Sequence, residues 1–270
     1  MRNCPARGAK VAAFFDLDGT LLREPSLERR FRRALRYRRE IGFWNYVAWF
    51  LEAARLLPRG IVRSFQENKM YLRGADCARG CEEGRLPRPE FFEQGVQHVA
   101  WHVRNGHEVV LVSGTLDFLA VHAAELLRAR LAKLGISVVL HVRATHLEVK
   151  DCLWTGSVAG SAVFGREKGM VVERLATEME LDLENCFGYG NSAHDRWMLG
   201  AVGNAVAVNP SAELQNIAEL LGWRVVRWDG PRERPRQDLA GRNLERQWPQ
   251  HLARTGSGKR ETRSWRMRDE

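Results

Sequence analysis

The feature that most constrains this chain is the run Lys10-Val-Ala-Ala-Phe-Phe-Asp16, which ends in an acid and passes directly into Leu17-Asp18-Gly19-Thr20. A short apolar run of this kind reads as a strand buried on both faces, as inside a parallel sheet. Two carboxylates spaced two residues apart, just beyond such a strand, can point into one pocket. One can attack a phosphorus atom while the other moves protons. Both acids and a phosphate ester are negative, so the pocket needs cations. Mg2+ on hard oxygen ligands and a lysine are the simplest choice. Gly19 lets the backbone turn sharply at this point. An isolated Asp-x-Asp would read as a solvated turn; the strand before it and Gly-Thr after it make the pattern specific.

Further apolar runs at 108–112, 136–142, 185–189, 205–208 and 223–228 read as strands. Helical patterns fall at 88–104, 117–134, 167–180, 195–201 and 212–221, and 145–160 alternates like a hairpin around Lys150-Asp151. Strands alternating with helices predict an α/β fold with a doubly wound parallel sheet. The block at 24–88 interrupts the alternation with helices expected over 28–40, 43–57, 61–72 and 75–83, and is read as an inserted helical cap. The core is then 1–23 with 89–229, followed by a basic tail at 230–270. In such sheets ligands bind beyond the carboxyl ends of the strands. Three loops follow apolar strands directly: Asp16 to Thr20, Ser113-Gly114-Thr115, and Gly190 to Asp195.

These segments resemble, in order, the four motifs of the haloacid dehalogenase-like phosphatases. Asp16 to Thr20 is similar to the first, Val112-Ser113-Gly114-Thr115 to the second, Gly165-Arg166-Glu167-Lys168 to the third and Gly190-Asn191-Ser192-Ala193-His194-Asp195 to the fourth. The likeness runs from about Val11 to Trp228 and is nearest the branch that contains phosphoserine phosphatase. It implies a Rossmann-like core and an Mg2+-dependent phosphomonoester hydrolase. Asp16 would form an aspartyl-phosphate. Asp18 would protonate the leaving alcohol, then activate water. Ser113, Gly114 and Thr115 would hold the phosphoryl oxygens, and Lys168 would neutralise charge. Asp16, Asp18, Asn191 and Asp195 would hold the metal. Taken singly, Ser113 could cap a turn, Lys168 could be solvated, and Asp195 could cap the helix that follows it. His194 has no partner evident in the sequence.

The family's fourth motif usually opens with an Asp ligand, and here that position is Asn191. The alternative reading is therefore a weak or inactive phosphatase-like protein that binds phosphorylated ligands or anionic membrane surfaces. Phosphoserine phosphatase reads the substrate amino group with a Glu whose matching position is Pro25, with Glu24 one residue away, so free phosphoserine is disfavoured. The cap offers seven Arg within 28–40 and an aromatic-rich segment at 43–57. The plain reading is one solvated and one buried helix. The sharper one is an interface, with Arg for anionic headgroups and Trp44, Trp49 and Phe50 for acyl chains. The partner expected is a phosphorylated small molecule or lipid-like substrate, with peripheral membrane contact through the cap.

The net charge is +9, and residues 231–270 contribute 11 basic and 6 acidic side chains. That tail lacks an aromatic platform and reads as disordered rather than as a nucleic-acid arm. The five cysteines, Cys4, Cys77, Cys81, Cys152 and Cys186, are odd in number and irregular in spacing, which argues against a disulfide framework. His98 and His102 are spaced i, i+4 but lack the rest of a zinc pattern, so they read as core or surface residues. No apolar run of spanning length and no apolar signal core is present, and the expected compartment is cytoplasmic.

Overall fold

A computed structural model describes residues 10–60, 64 and 66–228. The basic tail expected at 230–270 lies outside the described residues.

Strand β1 (Ala12–Phe15) leads into the inserted segment read above as a cap, which contains α1 (Leu27–Tyr37), α2 (Phe43–Leu56) and the short α3 (Cys77–Gly80). The core resumes with α4 (Glu93–Arg104), β2 (Glu108–Leu116), α5 (Asp117–Ala132) and β3 (Leu140–Thr145). A hairpin of β4 (Leu147–Lys150) and β5 (Leu153–Val158) follows. The last part is α6 (Arg166–Met179), β6 (Phe187–Gly190), α7 (Arg196–Gly200), β7 (Asn204–Val208), α8 (Ala212–Leu221) and β8 (Arg224–Val226). Six strands form one sheet in the order β3-β2-β1-β6-β7-β8, and every pairing in it is parallel. The fold is thus the expected doubly wound parallel sheet.

Alternation along β1 explains the layering. Ala12 and Phe14 face a buried cluster with Val171, Val172 and Leu175 of α6, Met198 and Leu199 of α7, and Leu214 of α8. Phe15 points to the opposite face, where its ring meets His102 of α4 at 5.7 Å and stacks on Tyr189 at 4.3 Å. The chain winds from β1 through β2 to β3 on one side, then returns to β6 on the other. The order reverses at β1, which opens a crevice at the carboxyl ends of β1, β2 and β6.

Several expected boundaries move, each for a tertiary reason. The strand expected at 136–142 forms at Leu140–Thr145, because the ladder pairs Val109 with Leu140 and leaves 136–139 without a partner strand. The helix expected from 88 begins at Glu93. The preceding backbone is used otherwise: Arg23 N–H donates to the Glu90 carbonyl at 2.8 Å and Phe92 N–H to the Leu21 carbonyl at 3.0 Å. The two strands of chain entering and leaving the cap are thereby clamped together.

In place of a helix over 75–83 there are only α3 and a turn at Glu83–Arg85. The backbone just before α3 is taken by the hairpin, with Gly74 N–H on the Trp154 carbonyl at 2.9 Å and Trp154 N–H on the Ala75 carbonyl at 3.0 Å. The β4–β5 hairpin therefore packs with the cap helices. Of the helix expected over 61–72, residues 64, 66 and 67 are helical, and a separate 3-10 turn follows at Met70–Leu72. Asn68 divides them, its side chain accepting from Met70 N–H at 3.1 Å and donating to the Trp49 carbonyl at 2.7 Å.

The reading of 43–57 as a buried helix is overturned. Only Leu56 of α2 is buried, while Phe43, Trp44, Phe50 and Leu51 are 65–77% exposed. Among the described residues, no helix is long and apolar enough to cross a membrane.

Candidate active site

Asp16 is the first residue past β1, and its N–H donates to the Tyr189 carbonyl of β6 at 2.9 Å. That bond fixes the start of the loop against the neighbouring strand. Gly19 has φ +83, and a Cβ there would lie 2.0 Å from the Asn191 amide nitrogen. The first loop can therefore close onto the fourth only with glycine at this position.

Lys168, in the first turn of α6, is buried between two acids. Its Nζ lies 2.6 Å from Asp16 Oδ1 and 2.6 Å from Asp195 Oδ1. The other Asp16 oxygen accepts the Thr20 hydroxyl at 3.0 Å. Asp195 Oδ2 accepts from Asn191 N–H at 3.0 Å, Ser192 N–H at 2.9 Å and Ser192 Oγ at 3.0 Å. The Asp195 carboxylate thus folds back onto its own loop and caps no bond of the helix after it.

Burial opposes every charge in this triad. For Lys168 the two carboxylates outweigh it and hold the ammonium above its usual range. For Asp195 the same ammonium and the Ser192 donors outweigh it and keep the acid below the usual carboxylate range. Asp16 has fewer donors, and burial pushes it up to about 7 against the pull of Lys168. Burial likewise raises Asp18 to about 6, opposed by the bond its Oδ1 accepts from Leu27 N–H at 2.9 Å. Asp18 therefore links the loop after β1 to the first turn of α1.

A cavity of about 400 Å³ opens over these groups, lined by Asp16, Asp18, Ser113, Gly114, Thr115, Lys168 and Asn191. Of the expected site residues, Asp195 alone does not line it and lies behind Lys168. Ser113 and Thr115 lie within β2, which runs on to Leu116 rather than ending at 112; its register against β3 shifts between Val112 and Leu116. Ser113 Oγ accepts from Thr115 N–H at 3.2 Å, and the buried Thr115 hydroxyl has no hydrogen-bond partner among the described residues. His194 also lines the cavity, with its ring 4.2 Å from that of Phe164.

Sequence reasoning missed Thr20, although its place in the first motif could have marked it. It also missed Glu28, Arg29, Arg32 and Lys69, cap residues that line the same cavity. His98 and His102 do not belong to the site: His102 is buried and bonded to Tyr189 Oη at 2.9 Å.

The family profile of haloacid dehalogenase-like hydrolases matches residues 13–200. The chain belongs to this family. Among curated proteins this haloacid dehalogenase-like hydrolase is similar to one from Mycobacterium tuberculosis named as a phosphoserine phosphatase, 28% identical over 230 residues, covering 80% of this chain and 70% of that one. Among solved structures it is similar to a protein of unknown function from Bordetella pertussis Tohama I, at TM-score 0.60 and 25% identity over 82% of this chain and 99% of the other. It shares its fold with a phospho-aspartyl intermediate analogue of phosphoserine phosphatase, at TM-score 0.54 and 21% identity over 80% and 99% of the two chains.

Proposed function

We propose that the protein is an Mg2+-dependent phosphomonoester hydrolase that works through an aspartyl-phosphate on Asp16. The observation that carries this reading is the buried Lys168 ammonium, 2.6 Å from Asp16 at the carboxyl end of β1, in a cavity open to a ligand.

Asp16 attacks phosphorus in line, so that a carboxylate oxygen–phosphorus bond forms as the ester oxygen–phosphorus bond breaks. Asp18 gives its proton to the departing alkoxide. It then takes a proton from water, whose oxygen attacks phosphorus and returns Asp16 as a free carboxylate with release of phosphate. The raised pKa of Asp18 suits a group that must both give and take a proton near neutrality. Ser113, the Gly114 N–H and Thr115 orient the phosphoryl oxygens, and Lys168 offsets charge on Asp16 and on the transferring group. Thr20 holds the second Asp16 oxygen in place.

The donors facing the cavity are carboxylate and amide oxygens from Asp16, Asp18 and Asn191, which suit a small hard cation. Those residues would hold Mg2+, and Asp195, expected as a fourth ligand, supports them by fixing the Asn191 loop and Lys168. When bound, Mg2+ supplies positive charge to the phosphoryl oxygens.

The substrate is a small or amphiphilic phosphomonoester. The exposed Phe43, Trp44 and Phe50 beside an Arg-rich helix favour an amphiphile, with the cap touching an anionic membrane surface. The second reading, a ligand-binding protein with little turnover, rests on Asn191, which brings the metal no charge.

The test is hydrolysis of p-nitrophenyl phosphate by the full chain, with Mg2+ and with chelator. Chelator-sensitive turnover that disappears in Asp16→Asn is expected. Turnover that survives Asp16→Asn would rule out the covalent route, and none at any metal concentration would favour the binding reading.

A further inference from the structure

Helix α1 has two chemically distinct sides. Leu27, Phe31 and Leu35 are buried, with the Phe31 ring 5.2 Å from Phe118 and 6.3 Å from Trp154. On another side, Arg29, Arg32, Arg33 and Arg36 recur at i, i+3, i+4 and i+7, which is one stripe of a helix. All four line a cavity of about 480 Å³ whose remaining walls, among the described residues, are Tyr46, Trp49 and Tyr71. Arg29 and Arg32 also line the catalytic cavity, so the two spaces share a wall.

These arginines differ from three others in the cap. Arg30, Arg55 and Arg85 each pair with a glutamate. None of the four stripe arginines has a carboxylate of the described residues within 4.0 Å. The acid on the same helix turn, Glu28, is already engaged: Lys69 Nζ holds both of its oxygens at 2.7 and 2.8 Å, and Tyr71 Oη donates to it at 2.7 Å. That network fixes Tyr71 as a wall, with the Arg32 guanidinium 5.8 Å from its ring centroid. A row of like charges on one helix face repels itself unless an anion lies along it. A planar guanidinium is the group suited to paired hydrogen bonds with phosphate oxygens.

We propose that the outer cavity is a subsite for a second anionic group, so that the substrate is a phosphomonoester carrying a further phosphate. The inference rests on the hydrolase reading above for the scissile end. The scissile phosphoryl group sits at Asp16 with Arg29 and Arg32 beside it. The second phosphate sits on Arg33 and Arg36, and the linking segment lies against Tyr46 and Trp49. Seven residues of helix rise about 10 Å, which bounds the separation the stripe can bridge. The subsite selects length as well as charge.

A length series of α,ω-alkanediol bisphosphates, set against the matching alkyl monophosphates, tests this with the full chain. At low ionic strength kcat/KM for a bisphosphate of matching length is expected to exceed that of its monophosphate by about tenfold, through KM. The advantage is expected to shrink in salt. Arg33→Gln with Arg36→Gln removes it, lowering turnover of the bisphosphate far more than that of the monophosphate. Glutamine is a good helix former at these exposed positions, so the helix is retained.

Isothermal titration of the same bisphosphate into wild type and the double variant, without Mg2+, reads the subsite independently of turnover. If p-nitrophenyl phosphate is hydrolysed but the bisphosphate gains nothing, the subsite is wrong and the hydrolase stands. If bisphosphate binding depends on Arg33 and Arg36 while no ester is turned over, the subsite stands and the hydrolase falls. A third arm uses phosphatidylcholine vesicles with and without phosphatidylglycerol. Dependence on Arg33 and Arg36 seen only with the anionic vesicles would assign the stripe to a lipid surface and overturn the substrate inference.

Discussion

In the proposed mechanism Asn191 would set how much charge the cavity offers a cation, and it touches both halves of the site. Its amide packs on Gly19, and its oxygen lies 3.4 Å from the Thr20 hydroxyl. An amide oxygen can ligate Mg2+ but contributes no charge, so the ion would be held less tightly than by a carboxylate. In Asn191→Asp the Mg2+ concentration at half-maximal turnover is expected to fall by about tenfold. A metal titration of p-nitrophenyl phosphate hydrolysis reads this directly; an unchanged midpoint would mean that residue 191 does not face the ion. At this scale the sequence was informative because the residues that meet at the site belong to short ordered motifs. Asp16, Lys168 and Asp195 are 152 and 27 residues apart along the chain, yet form one buried cluster. What the motifs did not reveal is the division of labour at Asp195. Its oxygens are spent on Lys168 and the loop 191–192, a fact of bond direction that no spacing encodes.

Among the elements, the cap departs most from expectation. Helix α1 was legible from its Arg-rich pattern, but which way its arginines point depends on where Phe31 and Leu35 find a hydrophobic partner. Phe31 finds it against Phe118 and Trp154, Leu35 is buried on the same side, and the arginines are left along the cavities. Trp154 belongs to the hairpin, 123 residues beyond Phe31, so the hairpin is part of what orients the cap. Gly80 of α3 makes that packing possible, since a Cβ there would lie 2.2 Å from the Trp154 ring. Gly80→Ala is therefore expected to destabilise the fold by about 1–3 kcal/mol through overpacking, despite the better helix propensity of alanine. Thermal unfolding checks it, and a melting temperature equal to or above wild type would show that the hairpin can shift away at no cost. Helix α2 illustrates the opposite failure. Its apolar composition suggested burial, but an apolar helix is buried only if another element covers it, and among the described residues its Phe43, Trp44 and Phe50 stay exposed.

For the molecule as a whole, the α4 face of the sheet carries a polar chain from the half-buried His107 through the buried His102 to Tyr189, with links of 2.9 Å each. Burial, helped by repulsion from His107 and His98, lowers His102 from 6.5 to about 2. The folded protein keeps this imidazole neutral, whereas the unfolded chain binds a proton below about 6.5. Stability is therefore lost as pH falls from about 6.5 toward 2, at about 1.4 kcal/mol per pH unit from this group. Urea unfolding between pH 7 and pH 5 is expected to show that decline. In His102→Phe the slope is expected to be shallower by about the same amount, and parallel slopes would mean that His102 is protonated in the fold. The sequence by itself determined the alternation of strands and helices, the sheet class, the interruption after β1 and the motif residues at the strand ends, because hydrophobic period and short-range chemistry are local properties. Only the tertiary structure decided where strands 108–116 and 140–145 begin to pair, that the hairpin joins the cap, that α2 stays exposed and that the arginine stripe lines a cavity sharing a wall with the site. Those outcomes depend on which surfaces meet across long sequence separations, and a face is buried or left open by its partner rather than by its own composition.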